Sequence, residues 1–67
     1  MKEQITVRLI PGLGYVCHGI LWYSLDDLVH SKRETYPGCM FRIIDADSQT
    51  CQQWRKDCEA GTAKIAA

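Results

Sequence analysis

Apolar and polar residues alternate with period two across Ile5-Thr6-Val7-Arg8-Leu9, a pattern that predicts a strand with one buried face. Pro11-Gly12-Leu13-Gly14 interrupts it. Tyr15 to Trp22, rich in aromatic and β-branched residues, then predicts the returning strand of a hairpin. A four-residue loop sets Leu9 opposite Val16, Val7 opposite His18 and Ile5 opposite Ile20. Opposed residues share a face. In this register Ile5, Val7, Leu9, Val16, Ile20 and Trp22 point to the core, while Arg8, Tyr15, Cys17 and Gly19 lie on the other side.

Ser24-Leu25-Asp26-Asp27 predicts a helix start, because the Ser24 hydroxyl can cap the free amide of Asp27 and both carboxylates sit at the positive end of the helix dipole. Leu25, Leu28, Val29 and the stem of Lys32 form the apolar stripe of about three turns. Tyr36-Pro37-Gly38 ends the helix. Cys39 to Ile44 predicts a strand, Asp45 to Ser48 a turn, and Thr50 to Arg55 a weaker strand, which makes a second hairpin. The expected fold is therefore α+β: a four-stranded, mostly antiparallel sheet in the order ββαββ, with one helix packed on one face. Residues 1–58 form the single domain of this reading, and 59–67, charged and small, form a flexible C-terminal tail.

Composition narrows the function classes. The chain has 67 residues, 46% of them hydrophobic and 24% charged, and eight basic residues balance eight acidic ones. A single core in so short a chain supplies only about 3–5 kcal/mol, which leaves little room for a deep cavity or a large cofactor. Zero net charge removes the long-range field that draws a protein to phosphate backbones, so nucleic acid is not expected as the sole partner. The longest basic cluster, His30-Ser31-Lys32-Arg33, is followed at once by Glu34 and reads as a solvated helix face. No apolar run approaches a membrane span, and Met1 to Thr6 lacks the apolar stretch of a secretory signal. A cytoplasmic location with Cys17, Cys39, Cys51 and Cys58 reduced is the expectation.

The candidate chemistry fails on spacing. Cys17 and His18 are consecutive on a strand and point to opposite faces, so they cannot work as nucleophile and base; His18 instead falls on the apolar face. Gaps of 21, 11 and 6 residues separate the cysteines, and no close pair of the kind zinc sites use is present. Asp45-Ala46-Asp47 begins like a calcium loop, but Thr50 and Lys56 stand where glycine and glutamate are required. Gly12-Leu13-Gly14 lacks the third glycine of a dinucleotide fingerprint, where Cys17 stands. A non-enzymatic protein without metal or cofactor is expected.

One helix leaves the second sheet face open. Arg8, Tyr15, Met40, Arg42 and Ile44 would be displayed there, residue types that include those enriched at interface centres. An unpaired edge strand offers a second route, a homodimer by strand addition. The segment His30 to Trp54, and within it Tyr36-Pro37-Gly38-Cys39-Met40-Phe41-Arg42-Ile43-Ile44-Asp45-Ala46-Asp47, resembles the helix, glycine turn and Arg-Ile-x-Asp hairpin of small phage-encoded anti-CRISPR proteins that inhibit type I Cascade complexes. The resemblance covers 25 of 67 residues and implies a non-enzymatic inhibitor, encoded by a phage or mobile element. Such an inhibitor occludes a surface of a host protein or nucleoprotein complex. No binding residue carries over, and a neutral chain departs from the family's strongly charged nucleic-acid competitors. Two readings from other classes are a structural zinc module built on the cysteines or a histidine, and a small nucleic-acid binder using Arg8, Lys32, Arg33 and Arg42.

Overall fold

The computed structural model describes residues 3–66. Its elements are β1 (Gln4–Ile10), β2 (Gly14–Cys17), β3 (Ile20–Trp22), α1 (Leu25–Thr35), β4 (Met40–Asp45) and α2 (Ser48–Ala60). The fold is α+β, with one four-stranded sheet in the order β3-β2-β1-β4. β1 and β2 pair antiparallel, as do β2 and β3, while β1 and β4 run parallel. A parallel partner cannot be reached through a tight turn, and α1 supplies the crossover from β3 to β4.

The element order is βββαβα, not the expected ββαββ. The run from Tyr15 to Trp22 is not one strand, because His18 (φ 50°) and Gly19 (φ 77°) both take positive φ. Two such residues form the turn whose twist matches a two-residue hairpin. β2 and β3 are the arms of that hairpin, and His18 is an exposed turn residue, not a member of the apolar face.

The first hairpin also differs by one residue. Leu13 donates its N–H to the Ile10 carbonyl at 3.0 Å, with Pro11 and a positive-φ Gly12 between them, so the loop has three residues. The observed pairs are Arg8↔Val16, Leu9↔Tyr15 and Ile10↔Gly14. A one-residue slip exchanges the faces of a strand. Tyr15 and Cys17 therefore join Ile5, Val7 and Leu9, whereas Val16 shares the opposite face with Arg8 and Ile10.

Each face has its own apolar cluster. On the first, Ile5, Val7, Cys17 and Cys39 pack against Leu28 of α1, with Tyr15, Trp22 and Phe41 around them. On the second, Ile10, Val16 and Leu21 pack against Cys51 of α2, with Leu13, Ala46, Trp54 and Cys58 at the border. The segment expected as a fourth strand, Thr50 to Arg55, is thus the middle of α2. The spacing of Cys51, Trp54 and Cys58 explains why: three, four and seven residues apart, they lie on one helical face. Asp47 caps the start, accepting the Thr50 N–H at 2.6 Å, and Gly61, in the left-handed region, closes the end.

The Thr50 backbone and side-chain bonds hold the Asp47 carboxyl below its ordinary value of 3.8; desolvation opposes them, and Arg8 adds to the lowering. A carboxylate lowered on folding adds stability above its unfolded pKa, and that contribution is lost as pH falls through the lowered folded value. Asp47→Ala is expected to lower the melting temperature by a few degrees at neutral pH, with the difference from the parent shrinking below pH 3.8. Asp47→Asn, which still caps, should keep most of the stability and lose the acid-dependent part. Thermal melts recorded by circular dichroism across the acid range check both outcomes.

The chain end expected as a free tail is engaged. α2 continues to Ala60, and beyond it Leu21 donates to the Lys64 carbonyl while Ala66 donates to the Leu21 carbonyl, both at 2.9 Å. Residues 64–66 thus lie along the outer side of β3, with Ile65 bridged to Leu21.

Candidate functional site

The second face of the sheet is not open throughout, because α2 covers the part built from Ile10, Val16 and Leu21. What remains uncovered is the stretch where β1 meets the start and middle of β4. Its register is Gln4↔Met40, Thr6↔Arg42 and Arg8↔Ile44, so these six side chains stand on one face in two rows. Of the five residues expected at a partner surface, Arg8, Met40, Arg42 and Ile44 are brought together here. Tyr15 is not: the hairpin register turns it to the α1 side, where it packs half-buried against the first cluster.

Met40 is 60% exposed, and Arg8 and Arg42 are exposed as well. The two arginines occupy diagonal positions on adjacent strands, within reach of one ligand group. Neither is ion-paired among the described residues, where the one close contact between a basic and an acidic side chain is His30 Nε2 with Glu34 at 3.1 Å on the exposed side of α1. Arg8 contributes to the field at Asp47, beside the start of α2. The surface therefore joins an exposed thioether, two exposed guanidinium groups and the half-buried Ile44. Asp45 belongs to the opposite face, opposite Leu9.

The thiols are divided by the sheet. Cys17 and Cys39 lie in the α1 cluster, and Cys51 and Cys58 lie with α2. Among the described residues no three His, Cys, Asp or Glu side chains stand close enough to hold a metal ion. Burial pushes the Cys17 thiol above its ordinary value; Lys32 acts against the rise and Cys39 adds to it. A thiol kept protonated in this way is a poor nucleophile and a poor ligand.

Which strand forms the unpaired margin of the sheet was not legible in the sequence. β4 is the last strand on its side, and Ile43, on the α1 face, is 46% exposed. Met-Phe-Arg-Ile-Ile-Asp has apolar side chains on both faces, a pattern that ordinarily marks a strand covered on both sides, whereas β4 leaves Met40 and Ile43 exposed. Arg33 of α1 reaches over one of these residues, its guanidinium carbon 5.8 Å from the centre of the Phe41 ring. Among the described residues no helix is long and apolar enough to cross a membrane. The chain matches no protein-family model, no curated protein and no solved structure.

Proposed function

We propose that this chain is a non-enzymatic interaction protein that binds a host protein or nucleoprotein complex stoichiometrically through the β1–β4 surface, and that inhibition of that complex, in the manner of phage anti-defence proteins, is its role. The observation that carries the reading is the placement of Arg8, Met40 and Arg42 on one sheet face that neither helix covers. Arginine is among the residue types enriched at binding hot spots, and methionine and arginine are both enriched at protein interfaces. Two guanidinium groups that form no ion pair among the described residues favour an acidic patch on the other side.

Affinity capture from a host lysate, followed by titration of the captured complex, tests the proposal. Replacing Arg8, Met40 and Arg42 together with Ser is expected to weaken binding at least about a hundredfold while leaving the far-ultraviolet spectrum intact. Unchanged binding by the triple variant rejects the surface. Tyr15→Ser is the contrasting variant, expected to lower stability because its ring belongs to the opposite, packed face.

A further inference from the structure

The outer edge of β4 is separate from the face just described. Met40 and Ala46 donate their backbone N–H groups to the carbonyls of Glu3 and Leu9, at 2.8 and 2.9 Å. In a ladder of this kind alternate residues bond the same neighbour. Met40, Arg42, Ile44 and Ala46 thus turn their peptide groups toward β1, and Phe41, Ile43 and Asp45 turn theirs outward. Among the described residues no strand pairs with that outward row, whereas the β3 margin is bonded by Lys64 and Ala66. The strand holds no proline, lysine or bulge that would block pairing.

We infer that this edge takes a second copy of the chain, the two β4 strands pairing antiparallel about a two-fold axis through Ile43. Such an axis stands perpendicular to the sheet, so opposed residues must lie on the same face. Centring the pair on Arg42 sets two guanidinium groups directly against each other, which is unfavourable. Centring it on Ile44 leaves the Phe41 peptide group beyond the end of the opposing strand. Centring it on Ile43 engages all three outward residues: Ile43 meets Ile43, and Phe41 stands opposite Asp45 of the second copy.

Charge selects the same register. Residues in a hydrogen-bonded antiparallel pair have Cα atoms about 5.5 Å apart. Phe41 and Asp45 share the α1 face, and Arg33 already lies over the Phe41 ring. The carboxylate of the second copy's Asp45 therefore arrives beside the Arg33 guanidinium, and symmetry makes the contact twice. Zero net charge leaves no overall repulsion between copies. Because the axis is perpendicular to the sheet, Arg8, Met40 and Arg42 of both copies come to lie on one side of a continuous eight-stranded layer, twice the four strands of one chain.

The test uses the purified full chain alone, so its outcome is separable from partner capture. Sedimentation equilibrium should give twice the 7.6 kDa chain mass, dissociating on dilution. Arg33→Glu and Asp45→Arg should each weaken the dimer about tenfold, and the double variant, with the charges exchanged, should recover most of that loss. Ile43→Pro removes an outward N–H without touching the bonds to β1 and should give a monomer. Hydrogen exchange followed by nuclear magnetic resonance on the parent chain should show the Phe41, Ile43 and Asp45 amides protected at high concentration and exposed on dilution. A monomer at every concentration overturns the proposal. So does a dimer in which the exchanged charges restore nothing, or in which the Ile43 amide exchanges freely. A monomer that still captures its partner leaves the face reading standing.

Discussion

Leu28→Ala is expected to leave the chain largely unfolded at room temperature. Leu28 is the one residue of α1 that is fully buried, and it joins the helix to Ile5, Val7, Cys17 and Cys39. Truncating a buried leucine costs about 2.7–5.0 kcal/mol, the higher values arising where neighbours cannot close the cavity. Two of the neighbours here are small cysteines on or beside sheet strands, so closure would require the helix itself to move. A domain of this size holds only about 3–5 kcal/mol in total, and the loss is comparable with the whole. Far-ultraviolet circular dichroism and urea titration provide the measurement. A cooperative transition at nearly the parental midpoint would show that α1 is held by something other than this contact.

The second large effect is expected at Gly14, for a reason unlike that of the other glycines. Its φ is not in the left-handed region; what it needs is space. A methyl group there would lie 2.6 Å from the Trp22 carbonyl oxygen and 3.2 Å from Leu21 Cδ1. The first of these atoms belongs to the backbone of β3 and cannot swing aside, so the β2–β3 pair would have to separate locally. Trp22 Nε1 is already buried without an acceptor among the described residues, and moving β3 disturbs the packing that holds the indole. Forced overpacking of this kind costs about 1–3 kcal/mol or more. Gly12→Ala is the natural comparison, since Gly12 has φ 77° and open space around it. That substitution should carry only left-handed strain, about 1–2 kcal/mol. Equal urea midpoints for Gly14→Ala and the parent would refute the close approach.

The parts of the fold that were legible in the sequence are those with a local physical cause. Ser24 caps α1, accepting the Asp27 N–H at 3.4 Å, and the helix stops before Pro37 as the chain pattern predicts. β1 and β4 were visible for the same reason, the first from its alternation and the second from its β-branched and aromatic run. His18 concealed the second turn, because a non-glycine residue at positive φ carries no strong signal and only Gly19 hinted at it. The hairpin loop was one residue shorter than read, and that single residue moved Tyr15 out of the candidate surface and Val16 into the second core. Thr50 and Trp54 are residue types that suit a strand, which obscures the helix over Thr50 to Arg55. The Asp47 cap and the one-sided Cys51, Trp54 and Cys58 spacing were the better guide. The pairing of Lys64 to Ala66 has no local cause at all, since it depends on a β3 edge assembled more than forty residues earlier.

That last contact has a consequence for how far association can go. A sheet with two raw borders can recruit copies at both and grow into a filament. Here residues 64–66 occupy the outer side of β3, and among the described residues β4 is the border left without a partner. On the proposed β4 pairing each copy would offer one such border, so joining through the sheet would end at a closed pair instead of a fibril.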